Sequence, residues 1–307
     1  MAICSISTSW RSDRISDARE LVDTMAATGI NALELEFRIP PETFAEILKN
    51  RERWNLTISS LHAVCPAPVG RGRGAERDPL NETDEEKRKR GVKDVLDTLR
   101  NASEMGARAV VVHCGYVPMA PDARNAMLKM HDAGKRGSRE AEALRQRLLL
   151  ERAVASKKAF TSVLKSLEEI NEEAVKRGVD VGIENRYYLN EFPFFEDFGV
   201  IFNLFEGGRL GYWHDAGHAH VMEFLYGIPH EKMLETYGHR LIGVHLHDVL
   251  PGGYTDHNEP GCGTVDFAMV KKYLKEDTIR VMELSHRVAP DAAKRGVEFL
   301  KTAGIFY

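Results

Sequence analysis

The stretch LIGVHLHD, residues 241–248, decides how this chain reads. Val244 and Leu246 alternate with His245 and His247. At the two-residue period of a strand, the aliphatic side chains share one face and the imidazoles share the other. A strand that is apolar outward and carries two imidazoles inward is one wall of a metal or proton-transfer site. The remaining walls have to come from other strands.

Working outward, short apolar runs alternate with longer amphipathic segments along the whole chain. The predicted strands are Ile3–Ser7, Asn31–Phe37, Leu56–His62, Ala107–His113, Val179–Glu184, Leu210–Asp215, Leu241–His247 and Thr278–Glu283. In the second, Leu33 and Leu35 oppose Glu34 and Glu36. Helices are expected at Asp17–Thr28, Pro41–Asn50, Thr83 to about Met105 and Pro290–Thr302, Thr83 and Glu86 standing in capping-box positions. The charged region from Asp122 to about Arg177 is too long for one crossover helix and should break near Gly134–Ser138. Eight strands alternating with helices, with no break in composition, predict an α/β fold. The expected architecture is a single (β/α)8 barrel over residues 1–307, with a helical insertion after strand four. An open doubly wound sheet would carry a glycine-rich phosphate loop after its first strand, and STSWRSD at 7–13 is not one.

Composition narrows the function. A chain of 307 residues, 43% hydrophobic, can bury a large core. A net charge of −4 supplies no basic field for gripping nucleic acid. The arginine-rich run RGRGAER at 71–77 reads as a solvated loop. Cys4, Cys65, Cys114 and Cys262 show no C-x-x-C spacing and are expected as free thiols. The N-terminal residues do not form a signal peptide, and no stretch approaches the ~18 apolar residues of a membrane span. The expected location is the cytoplasm, with no membrane partner; association into a homo-oligomer is compatible with the sequence.

The strand ends carry the chemistry. His62, His113, Glu184, Asp215, His245 with His247, and Glu283 all fall at C-terminal strand ends, which converge on one mouth in a (β/α)8 barrel. The D-A-G-H loop adds His218, and the loop DHNEPGCGTVDF adds Asp256 and His257. A lone histidine at such a position is usually a hydrogen-bonded rim residue, and a lone glutamate usually caps a helix. Ligand-type residues at six of eight strand ends are a poor fit to packing alone, because unpaired buried charge is costly. Together they suit a divalent ion of borderline hardness.

These motifs resemble the xylose isomerase-like barrel superfamily, which includes sugar isomerases and epimerases, inosose dehydratase and endonuclease IV. The resemblance rests on GIEN at 182–185, HDAGH at 214–218, VHLHD at 244–248, NEPGCGTVDF at 258–267 and VMEL at 281–284. For the single-metal isomerases and epimerases it implies a ligand set of Glu184, Asp215, His247 and Glu283 around one Mn²⁺, Co²⁺, Zn²⁺ or Mg²⁺. His245 is then a second partner or a ligand to a further ion. Glu184 and Glu283 become the implied acid–base pair, moving a proton next to a metal-polarised carbonyl of a small carbohydrate-like substrate. His218, Arg186, His62 and His113 are candidate substrate contacts, with a surface salt bridge as the other reading of Arg186. A metal-assisted dehydratase is close in chemistry. Endonuclease IV, a zinc phosphodiesterase acting on abasic DNA, implies three zinc ions held by His62, His113, Glu184, Asp215, His218, His245, His257, Glu283 and one aspartate. Thr255 stands where that aspartate belongs. A non-catalytic sugar sensor is the third reading, and two glutamates aimed at one substrate argue against it.

Overall fold

Aliphatic residues at period two form eight strands: β1 (Cys4–Ser7), β2 (Ala32–Leu35), β3 (Thr57–His62), β4 (Ala109–Val112), β5 (Asp180–Glu184), β6 (Leu210–Asp215), β7 (Leu241–Leu246) and β8 (Ile279–Met282). Each pairs in parallel with the next, and β8 pairs with β1, so the sheet closes in chain order. The chain is a (β/α)8 barrel. The computed structural model describes residues 3–68, 79–119 and 123–307. The arginine-rich run at 71–77 and Asp122 lie outside the described residues.

Ten helices are present among the described residues: α1 (Ala18–Ala26), α2 (Pro41–Asn50), α3 (Glu85–Met105), α4 (Ala123–Asp132), α5 (Arg139–Arg177), α6 (Phe195–Leu204), α7 (Ala216–Tyr226), α8 (His230–Tyr237), α9 (Phe267–Lys271) and α10 (Pro290–Thr302). The start of α3 differs from expectation. Asp84, not Thr83, is its N-cap, and its carboxylate accepts the backbone N–H groups of Glu86 and Lys87 at 3.0 and 3.1 Å. An ionised acceptor next to the helix dipole is the stronger cap. The insertion after β4 breaks where its glycines suggest: α4 stops at Asp132, and Ser138 caps α5.

The barrel interior has its own small core of Ala109, Val111, Trp213, Ile279 and Val281. Trp213 is fully buried and fills the floor beneath the mouth. Gly182 and Gly243 make room for it, since a Cβ on either would lie 2.6 or 2.4 Å from the indole. Val244 and Leu246 face outward into the larger layer between sheet and helices. Among the described residues no disulfide is present. Among the described residues no helix is long and apolar enough to cross a membrane.

Candidate metal centre and active site

Glu184 ends β5, Asp215 ends β6, His245 lies in β7, and Glu283 follows β8 by one residue. Each offers one donor atom, and these four atoms lie within 4.8 Å of one another. His245 Nδ1 sits 3.2 Å from Glu283 Oε2, 3.5 Å from Glu184 Oε1 and 3.7 Å from Asp215 Oδ2. Three carboxylates thus surround one imidazole in a buried mouth. Neither His245 Nδ1 nor Asp215 Oδ2 makes a hydrogen bond among the described residues. Uncompensated buried carboxylates are costly, and orphaned acceptors facing one point fit a divalent cation.

Electrostatics tell the same story. Burial raises the carboxyls of Asp215 and Glu283, but neighbouring histidines outweigh it and hold both below the usual range. Burial likewise opposes ionisation of Glu184, and His113 with Arg186 overcomes it. Burial disfavours the His245 imidazolium, yet Glu283 and Glu34 raise its pKa well above ordinary.

The two histidines of the deciding strand fall into different donor groups. The central group contains His245, and His247 belongs to a neighbouring group with His218 and His257. The period-two pattern says which residues share a face. It does not say how deep each sits, and two residues along a strand are about 6.6 Å apart. His247 lies one residue beyond β7, against the start of α7. Gly217 permits that approach: a Cβ there would fall 2.0 Å from His247 Cε1.

Glu184 faces two ways. Its Oε1 turns to His218 and His245, while Oε2 lies 2.5 Å from His113 Nε2 and 3.4 Å from His62 Nε2. Burial and Arg186 push His113 down to about 3, so it is a neutral ring donating its Nε2–H to the carboxylate. His62 Nδ1 lies 3.3 Å from the Ala63 carbonyl, which only accepts, so its Nε2 is the nitrogen left facing the site.

The third group is built by helix and loop. Asp215 is the N-cap of α7 and accepts the backbone N–H of His218 at 2.7 Å. His218 therefore stands on the first turn of a helix, not in the loop read from D-A-G-H. Its Nδ1 donates to the Asn185 carbonyl at 3.1 Å. Asp248 holds the turn after β7: Oδ1 accepts from Val249 and Val265, Oδ2 from Gly261 and Gly263, at 2.9–3.0 Å. That turn presents Asp256 and His257, the latter at φ +57°, a strained conformation for a residue with a Cβ.

Residues not assigned from sequence also shape the site. Glu34, fully buried in β2, reaches across the barrel to His245 Nε2. The LELEF alternation sets it on the face opposite Leu33 and Leu35, but names no partner. Glu36 is buried with Ser12 and Arg38, and Asn185 grips the backbone of Asp215 at both N–H and C=O. A cavity of about 350 Å³ opens above, lined by Glu184, Glu283, His62, His113, Arg186 and Asp256 among others. Arg186 is no surface salt bridge; its side chain is mostly buried between Glu184 and Glu191, 3.4 Å from each.

The chain matches a family model, the xylose isomerase-like TIM barrel, over residues 22–303. The chain belongs to that family. Among curated relatives, this xylose isomerase-like barrel is 23% identical over 191 residues to the uncharacterised protein y4fM of Sinorhizobium fredii. The match covers 55% of the chain and only 59% of y4fM. Among solved structures, a D-tagatose 3-epimerase-like protein superposes with a TM-score of 0.69 at 22% identity, covering 98% of this chain and 96% of that one. The IolI protein with a bound zinc atom superposes at 0.67 and 14% identity, with 99% of each chain covered.

Proposed function

We propose that this barrel is a divalent-metal-dependent isomerase or epimerase of a sugar, or of a related polyol or keto acid. The observation that carries the reading is the placement of Glu184 and Glu283. Both line one cavity, and both offer a carboxylate oxygen within 4.8 Å of Asp215 and His245. The cavity's 350 Å³ lies at the lower end of the range of about 300–1,000 Å³ for small-molecule sites. The likeness in fold to a D-tagatose 3-epimerase-like protein supports the same class. A divalent ion at this centre supplies Lewis acidity toward a substrate carbonyl, making the adjacent C–H more acidic.

Glu184, Asp215, His245 and Glu283 would hold that ion. Glu184 and Glu283 also take and return the proton, from opposite sides of the mouth. Glu283 is the freer base, because Glu184 is tied to His113 and lies beside Arg186. Arg186, His62, His113 and His218 orient substrate oxygens. The same proton abstraction followed by loss of a hydroxyl gives a dehydratase.

A second reading has an observation of its own. His62, His113 and Glu184 form one further donor group, and His218, His247 and His257 another. Three adjoining groups match the three-zinc phosphodiesterase arrangement. The third group is short of donors, however, because His247 Nδ1 accepts the backbone N–H of His257, leaving the ring proton on Nε2.

The test is metal content and solvent exchange. The isomerase reading expects one tightly held divalent ion per chain and deuterium uptake from solvent into a ketose or keto-acid panel. Three zinc ions with no exchange would replace it by the phosphodiesterase. Exchange undiminished in metal-binding Glu184→Gln and Glu283→Gln proteins would remove both as the bases.

A further inference from the structure

We propose that Glu34 is a positioning residue for the metal centre: it fixes the proton of His245 on Nε2 and so presents the Nδ1 lone pair to the ion. The inference rests on the metal reading above and names what that reading lacks, the group that makes His245 a ligand.

Glu34 comes from β2, on the far side of the barrel from β7. Its carboxylate is fully buried, and both oxygens lie close to His245 Nε2, at 3.1 and 3.2 Å. Ser60 on β3 donates its hydroxyl to Oε2 at 2.8 Å. No lysine or arginine is paired with Glu34 among the described residues. A buried carboxylate without a lysine or arginine is an expensive feature to carry, so its contact with His245 matters.

An ionised carboxylate accepts hydrogen bonds and cannot donate them. The nitrogen facing Glu34 must therefore carry the hydrogen. In the neutral ring, the lone pair then lies on Nδ1. That nitrogen is the one facing Glu283, Glu184 and Asp215, and it has no hydrogen bond of its own. The other tautomer would aim its N–H at the ion and a lone pair at a carboxylate. The ring is also held in place sterically, with Trp213 edge-on at 5.2 Å and His62 stacked at 5.9 Å between centroids. Packing sets the plane of the imidazole, and Glu34 sets which nitrogen is free. Partners of this kind typically contribute about 10–100-fold in metal affinity.

The experiment titrates metal-stripped protein with Mn²⁺ by calorimetry, comparing wild type, Glu34→Gln and Ser60→Ala. It is paired with ¹⁵N imidazole NMR of the Zn²⁺-loaded wild type. The expected result is unchanged stoichiometry with affinity about 10–100-fold weaker in Glu34→Gln, a smaller loss in Ser60→Ala, and zinc on His245 Nδ1. Wild-type protein that binds no ion overturns the metal reading itself. Wild-type binding with undiminished affinity in Glu34→Gln, or zinc found on Nε2, overturns the role of Glu34 alone. If Glu34→Gln does not fold, the wild-type coordination atom and the Ser60→Ala affinity still decide the matter.

Discussion

His247 Nε2 lies 2.8 Å from Asp215 Oδ1, yet the two are not aligned as a hydrogen bond. The other nitrogen explains the geometry. His247 Nδ1 accepts the backbone N–H of His257 at 2.9 Å, so the ring proton belongs on Nε2. Burial disfavours the imidazolium and Asp215 favours it, with a net rise in pKa to about 9. A second proton on Nδ1 would, however, meet the His257 N–H head on, so the geometry accommodates the neutral Nε2–H ring.

The two histidines of one strand should therefore separate cleanly in a binding experiment. His245→Ala removes a donor from the central group and is expected to abolish stoichiometric Mn²⁺ or Zn²⁺ binding. His247→Ala leaves all four central donors in place and only loosens Asp215, with a loss of about 10–100-fold. Calorimetric titration of the stripped proteins checks the order. Equal loss in both, or a larger loss in His247→Ala, would return His247 to the ligand set.

Gly217 gives a test of packing at the same point. Its Cβ position lies within 2.0 Å of His247 Cε1, inside any permitted contact. Gly217→Ala must push the imidazole away from Asp215 or shift the start of α7. Overpacking of this kind costs about 1–3 kcal/mol. Thermal unfolding should show that loss, and metal affinity should fall in step with it. A Gly217→Ala protein with wild-type stability and affinity would contradict the geometry at the start of α7.

Asp248 anchors the loop that carries Asp256 and His257. It accepts four backbone N–H groups, two on each oxygen. Asp248→Asn turns one acceptor into a donor facing two donors, leaving buried N–H groups unpaired. A loss of about 2–5 kcal/mol is expected, since each bond to a charged acceptor contributes about 1.5–3 kcal/mol. The proposed metal donors lie on strand ends outside this loop, so metal stoichiometry should survive while substrate KM rises. Loss of the metal with unchanged KM would place the loop's role elsewhere.

The alternation of short aliphatic runs with amphipathic segments was enough to read the closed barrel, because each strand buries both faces and each helix one. Glu184, Asp215 and Glu283 are readable as candidate site residues because a carboxylate ending an apolar strand has no packing reason to be there, and the barrel brings the three together. Depth along the barrel axis is not readable in a period-two pattern, so the alternation does not separate His245, in the central group, from His247, in the neighbouring one. Glu34 is visible only as a glutamate opposed to Leu33 and Leu35. Its partner lies 211 positions away, and only closure of the barrel brings β2 and β7 to face one another. The sequence reading puts His218 in a loop after β6, whereas Asp215 caps α7 and sets His218 on its first turn.

Away from the candidate metal centre, His230 is expected to set a pH dependence. It is buried behind β6, its Nε2 lies 2.9 Å from His214 Nε2, and its backbone N–H is held by Glu223. The direction of this chain of hydrogen bonds is fixed. Tyr212 donates to Asn185 and accepts from His214 Nδ1, so His230 donates to the remaining nitrogen of His214. Burial first, and then the nearby His220, lower the His230 pKa to about 3, with Asp215 and Asp266 opposing. In the unfolded chain a histidine titrates near 6.5. Between these values the unfolded state binds one more proton than the folded state, so stability falls as pH drops. The contribution is complete above about pH 6.5, and at pH 5.5 about 1.4 kcal/mol of it is gone. Thermal unfolding between pH 7 and 5 should show this slope in wild type and a shallower one in His230→Gln. The variant is expected to be less stable at pH 7, because the bond to His214 is altered, so the difference in slope is the measurement. Parallel curves would mean that His230 titrates normally in the folded barrel.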